Sequence, residues 1–329
     1  MKKATTLVLF GALSLATTAI SALIGIEWIP VASLFDNSSA DWHIFWDHRA
    51  PRVCTAFIAG AALSVSGMAF QAMFRNALAT PYTLGVASGA SLGAAIAVRL
   101  GLTLSVLGIP TETLAAFAGA LGSILLVNGL TWGRRGVTSE AMLLAGIAVN
   151  FFFISLILFI QHTSDPTSAA RLTRWLVGGQ LALARFKEIV EALPFVATGG
   201  AVLILLTHEL NLLTTGDDIA ASRGVAVERV KKMLFVSTSL MVGGVVAICG
   251  PIGFVGLMAP HIARLLIGPD HRYLLPASAL FGGAFLCICD MFTRWAFAPA
   301  ELPVGVVTAF LGGPFFLALL LGRRSGSAS

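Results

Sequence analysis

Ten apolar runs, each near the length that carries a helix through a bilayer, follow one another along this chain. A hydrocarbon core of about 30 Å takes about 20 helical residues. Runs of that kind lie at roughly 4–26, 53–73, 83–100, 113–132, 140–161, 188–207, 231–250, 252–267, 273–293 and 303–322. The third and eighth are short, and a Gly/Pro break precedes the eighth. Backbone polar groups in lipid must be satisfied within the segment itself, so the runs are predicted as helices. The chain is 57% hydrophobic and 11% charged, against about 25% charged in an average soluble domain. Too few charges remain to solvate a 329-residue globule in water. The expected fold is an all-α polytopic membrane protein of about ten transmembrane helices, one domain over residues 1–329. The net charge of +5 does not read as a nucleic-acid footprint, because the cations sit at the ends of apolar runs rather than on one basic face.

Orientation follows from those cations. Lys2 and Lys3 precede the first run, which also fits a secretory signal with a cleavage site near Ala19-Ile20-Ser21-Ala22. The run continues to Ile26 without a polar region, so it is read as an uncleaved first span. With ten spans and the N-terminus inside, thirteen Lys and Arg fall inside and eight outside, in keeping with the positive-inside rule. The outer set, with Arg49, Arg52 and Arg294 in it, is large enough to need its own explanation. The expected location is a bacterial inner membrane with both termini cytoplasmic. Pro81-Tyr82-Thr83-Leu84-Gly85-Val86 and Leu302-Pro303-Val304-Gly305-Val306-Val307 open spans from opposite faces, a weak sign of inverted repeats.

Between the sixth and seventh runs lies a polar island, Asn211 to Lys232. A reversing loop needs little order, yet this one carries helix signals. Gly216 followed by Asp217 and Asp218 reads as a helix start, with acidic groups at the positive end of the dipole. Arg223 and Gly224 read as its end, a cation followed by a residue suited to the left-handed conformation. A short firm helix outside the bilayer is a docking surface; an ordinary basic loop is the alternative.

Chemistry-bearing groups are sparse. Cys54, Cys249, Cys287 and Cys289 lie in apolar runs with no metal spacing and read as small buried hydrophobes. His162 and His208 stand alone at span ends, and His261 and His271, on either side of Arg264, read as interfacial residues facing water. No metal site and no catalytic constellation is expected. Asp290, four residues before Arg294, is read as an i,i+4 pair. No series of ionisable residues crosses the spans, which argues against a self-sufficient carrier or channel. There is no GxxxxGK[ST] motif, so energy for any pumping must come from another chain. Small residues at Gly60, Ser64 and Gly67, and at Gly85, Ser88, Gly89 and Gly93, read as helix-packing stripes.

Several long blocks then carry a resemblance. Arg49-Ala50-Pro51-Arg52 leads into AFIAGAALSVSGMAFQAMFRNALATPYTLGVASGASLGAA, followed by LLAGIAVN (143–150), the polar island, GPIGFVGLMAPHIARLLIGPDHRYLLPASAL (250–280) and AELPVGVVTAFLGGPFF (300–316). Over roughly residues 45–322 the chain resembles the FecCD-type permease family, the membrane subunits of type II ABC importers for iron-siderophores, haem and vitamin B12. The resemblance implies a type II ABC importer permease fold, a homodimer with the pathway on its two-fold axis, two cytoplasmic ATPase subunits and a periplasmic binding protein. It implies no cofactor in this chain, with ATP and Mg held by the ATPase, and no enzymatic activity of its own.

The resemblance also assigns residues. The island, about 211–228, becomes the coupling-helix loop, with Gly216, Asp217, Ala220, Ala221, Arg223 and Gly224 in a groove of the ATPase. Arg49, Arg52 and Arg294 would meet glutamates on the two lobes of the binding protein. Asn76 and Leu78, with Thr138 and Ser139, would form the cytoplasmic gate. Many relatives have proline after the asparagine of the gate stretch, where this chain has Ala77 in RNALAT; its loss frees the backbone beside the gate. The expected cargo is a ferric siderophore, with haem or a corrinoid as the alternative within the family.

Overall fold

The computed structural model describes residues 2–325 except 26, 103, 107, 108, 132–138 and 299. Helix α1 spans Lys2–Leu23; α2 (Ala40–His43), a π-helical turn (Ile44–Arg49) and α3 (Ala50–Phe74) run together as one rod. Then come α4 (Val86–Arg99), α5 (Thr111–Thr131), α6 (Ser139–His162), α7 (Pro166–Leu176), α8 (Phe186–Leu205), α9 (Thr207–Leu213) and α10 (Asp217–Ser222). The last four are α11 (Val227–Cys249), α12 (Val255–Ile267), α13 (His271–Ala296) and α14 (Val304–Ser325). Among the described residues, seven helices are long and apolar enough to cross a membrane, and α4, α12 and α14 supply three shorter apolar ones. These ten match the ten runs of the sequence one for one.

The rod ending in α3, together with α11, is buried along most of its length and forms the centre; α13 packs beside it, while α1, α5, α6 and α8 keep their apolar surface outward. Lipid gives helices no hydrophobic reason to associate, so close backbone approach has to hold the bundle. The small-residue stripes supply it. A Cβ on Gly60 (α3) would overlap the carbonyl oxygen of Gly282 on α13, and one on Gly67 would overlap Gly256 of α12. On α4, Gly89 faces Gly119 of α5, whose carbonyl oxygen a Cβ would meet at 2.5 Å.

The expected break before α12 falls at Gly250-Pro251-Ile252-Gly253-Phe254. Gly250 has φ +75°, and a Cβ there would lie 2.5 Å from the Trp175 carbonyl oxygen of α7, so the position requires glycine. Phe254 takes φ +66° to start α12, an outlier for a bulky residue and a point of local strain.

Several details depart from the sequence expectation. Helix α7 was not foreseen; Asp165 caps it by accepting from the N–H groups of Thr167 and Ser168, both at 3.0 Å, with Pro166 at its first position. A two-residue ladder, Ser105–Val106 against Ile109–Pro110, sits between α4 and α5. Helix α9 carries the sixth apolar run past its expected end, so the island begins inside a helix. Cys54 is exposed, unlike the other three cysteines, because its position on α3 faces away from the core. His271 does not face water: it is buried against Asn211.

Candidate functional site

Polar groups gather at two ends of the apolar bundle. Helix α13 has one end in each, and its His271 and Asp290 are about 28 Å apart at 1.5 Å rise per residue.

At the C-terminal end of α13, three arginines and two carboxylates meet. Arg52 Nε donates to Asp290 Oδ1 at 2.9 Å and its Nη1 donates to Glu301 Oε2 at 2.8 Å. Arg294 Nε lies 3.2 Å from Asp290 Oδ2, so the expected i,i+4 pair is present and Arg52 joins it from α3. The remaining guanidinium donors close the C-terminus of α1. Arg294 gives Nη2 to the Ser21 carbonyl at 2.8 Å and Nη1 to that of Ile24 at 2.9 Å. Arg49 donates to the carbonyls of Leu23 at 2.8 Å and Glu27 at 2.7 Å. Cations at a helix C-terminus satisfy its orphan carbonyls and complement its dipole.

This arrangement revises the expectation of three outward-facing arginines. Arg52 is 7% exposed and Arg294 4%; their charges are spent on Asp290, Glu301 and α1. Arg49 is half-buried. All three still line one cavity of about 350 Å³, together with Glu27, His48 and Glu301. Glu301, which the sequence reading did not single out, keeps its side chain 37% exposed on the rim. Its signal was available only as a carboxylate just before the last span.

At the opposite end stands the island. Helix α10 begins at Asp217 and ends with Arg223 as its cap and Gly224 at φ +86°, as the Gly-Asp-Asp and Arg-Gly signals predicted. The island residues divide by face. Gly216 and Ala220 are buried against the body, and Asp217 Oδ2 accepts from Lys231 Nζ of α11 at 2.5 Å. Ala221, Arg223 and Gly224 are exposed, and so is Ile219 at 48%. An exposed isoleucine on a polar helix is the residue the motif-based reading missed; its apolarity among acidic neighbours was the signal.

The gate residues are brought together only in part. Arg75 ends α3 in the left-handed conformation, φ +48°, and the Asn76 side chain accepts from the Leu78 N–H at 2.9 Å. Leu78 projects outward, 51% exposed. Arg75 also reaches the island, for a Cβ on Gly216 would lie 3.6 Å from its Nη1. Thr138 lies outside the described residues, and Ser139 opens α6.

Behind the island, Asn211 of α9 meets the start of α13. Its Nδ2 donates to Asp270 Oδ1 at 3.0 Å, and its Oδ1 accepts from the His271 backbone N–H at 2.9 Å and lies 2.7 Å from His271 Nδ1. Partial burial opposes the Asp270 charge, but the Asn211 amide and the Arg272 N–H outweigh it and hold the carboxyl below its ordinary value. Among the described residues no group of three or more His, Cys, Asp and Glu is placed to hold a metal ion.

The model of the FecCD transport family matches residues 12–322. The chain is 36% identical over 308 residues to the hemin transport system permease protein HmuU of Yersinia pestis, covering 92% of this chain and 91% of that one. It is 40% identical over 276 residues to the cobalamin import system permease protein BtuC of Halobacterium salinarum, covering 84% and 73%. A solved structure described as an inward-facing conformation of a metal-chelate type ABC transporter superposes with a TM-score of 0.85 at 28% identity, over 97% of this chain and 99% of that one. The order of the ten apolar helices, the island between α8 and α11 and a match over nearly the whole length agree: the chain belongs to the FecCD transport family and is an ABC importer permease.

Proposed function

We propose that this chain is the translocation subunit of a binding-protein-dependent importer that moves a ferric siderophore across a bacterial inner membrane. A separate ATPase drives alternating access, and ATP and Mg are bound there; this chain hydrolyses nothing. Both termini and the island face the cytoplasm. The subunit works as a dimer, most simply with a second copy of itself, served by two ATPase subunits and a periplasmic binding protein.

The observation that carries this reading is α10. It is a short helix outside the apolar bundle, anchored through Gly216, Ala220 and the Asp217–Lys231 pair. Its far side offers Ile219, Ala221, Arg223 and Gly224 to a partner. A knob of that kind transmits force because it cannot yield at its base. At the other end, the cavity between Arg49 and Glu301 suits an acidic loop of a binding protein. Arg49, half-buried in its wall, supplies the cation such a loop would meet, since Arg52 and Arg294 are paired with Asp290 and Glu301. Asn76 and Leu78, next to the island through Arg75, form one half of a cytoplasmic gate with Thr138 and Ser139 as the other.

Beside relatives named for hemin and for cobalamin, the siderophore reading draws on the likeness to the iron(3+)-hydroxamate import system permease protein FhuG of Bacillus subtilis, 33% identical over 293 residues. The test is uptake in a strain lacking this chain, given a panel of radio-iron siderophores, haem and cobalamin. Wild type should restore entry of one ferric siderophore, and Gly224→Trp should fail while reaching the membrane at the wild-type level. Restoration of haem or cobalamin uptake instead would replace the cargo and keep the mechanism. Full uptake with Gly224→Trp would remove the coupling role of α10.

A further inference from the structure

The bond set of Asn211 has a consequence beyond packing. An asparagine on α9, 60 residues from its partner in sequence, satisfies the first backbone N–H of α13. That N–H is one of the four orphan donors of a helix start. The backbone donor fixes the amide orientation, since only the oxygen can accept from it. The Asn211 Oδ1 therefore also accepts from His271 Nδ1, which places the ring proton on Nδ1. The amide nitrogen is then free to donate to Asp270 Oδ1, which itself caps the Arg272 N–H at 3.1 Å. Asn211, Asp270 and the His271 Nδ1 face make a polar joint between the island and α13, beside the fully buried Leu210 and Leu213. The other end of α13 holds Asp290 and Arg294, and through them Arg52 of α3 and the end of α1.

We propose that Asn211 is a positioning residue for transport: it locks the α9–α10 island to α13, so that a displacement of the island is carried along α13 to the arginine cavity at the opposite end. The proposal rests on the reading of α10 as the helix that meets the ATPase. Apolar contacts between α9 and α13 hold the two helices near each other, and the Asn211 joint removes their freedom to pivot. Without it, the island moves and α13 stays.

The test places spin labels at Ser222→Cys and Arg272→Cys, both exposed positions, in a Cys54→Ser background of the assembled transporter. Label-to-label distances are measured without nucleotide and with ATP–vanadate trapped. With labelled subunits diluted into unlabelled ones, so that only the distance within one subunit is read, the expected result is one narrow distance that is the same in both states. Asn211→Ala should broaden it at least twofold and leave ATP hydrolysis running while uptake per ATP falls about tenfold. A distance that changes between states in the parent, or an Asn211→Ala protein with a narrow distance and normal uptake per ATP, overturns the proposal. Gly224→Trp run alongside separates the two readings. If it leaves uptake intact, the ATPase contact of α10 fails; if it abolishes uptake while Asn211→Ala does not, only the joint fails.

Discussion

Asp290 is fully buried between two guanidiniums, an environment that tolerates little change. Deleting one partner of a buried ion pair leaves uncompensated charge and costs about 3–5 kcal/mol. Asp290→Ala would leave Arg294 with no carboxylate and Arg52 with Glu301 alone, so a large drop in melting temperature is expected, read by the loss of monodisperse protein on heating in detergent. Glu301→Gln touches the same Arg52 from a partly exposed position. Solvent screening limits that change to about 1 kcal/mol or less, and the same heating assay should barely register it. Cys54 gives a second residue-scale test. Being exposed while the other three are buried, it should take up one equivalent of N-ethylmaleimide per folded chain, and Cys54→Ser should take up none.

At the scale of elements, the helix crossings depend on absent side chains. A leucine at Gly60 meets the Gly282 backbone, which cannot swing aside. Overpacking of this kind costs about 1–3 kcal/mol or more, so Gly60→Leu should separate α3 from α13 and lower thermal stability. Gly122→Ala, on α5 where a Cβ meets nothing within 4 Å, is the matched control. It should be neutral or raise stability by up to about 1 kcal/mol through helix propensity. Helix α7 offers a pH test. The Ser168 hydroxyl, then the Ser168 and Thr167 N–H groups, hold the Asp165 carboxyl below its ordinary value. A carboxylate depressed in the folded state stabilises above its unfolded pKa and loses that contribution as pH falls through the folded one. Hydrogen-exchange protection of the first turn of α7 should therefore persist from neutral pH to about 5 and fall below about 4.

For the whole molecule, the notable feature is that the centre of the bundle and the two polar ends share the same helices. Helix α13 touches the island at Asn211 and the arginine cavity at Asp290, and α3 runs from that cavity at Arg52 to Arg75 beside Gly216. Two buried rods thus join the ends that transport must coordinate. Gly224→Trp is expected to stop uptake without changing membrane level: a Cβ at Gly224 meets nothing within 4 Å, so the bulk projects from the exposed tip, and the backbone strain of a side chain at φ +86° is confined to the end of α10.

The amino-acid sequence by itself determined the solvent, the number of apolar helices and the existence of α10. Those follow from local quantities: run length against bilayer thickness, charge at helix ends, and a glycine able to take positive φ. It also marked the packing stripes, since Gly60, Gly67, Gly89 and Gly93 could only mean close backbone approach. The tertiary structure alone decided which charges are free. Arg49, Arg52 and Arg294 look equivalent along the chain, yet Arg52 and Arg294 are consumed by Asp290, Glu301 and the end of α1, partners from elsewhere in the sequence. The same holds for His271, whose burial depends on Asn211 arriving from another helix, and for α7, whose apolar stripe is too short to stand out beside ten membrane-length runs. Burial and pairing are properties of contacts between distant segments, and no pattern within one segment records them.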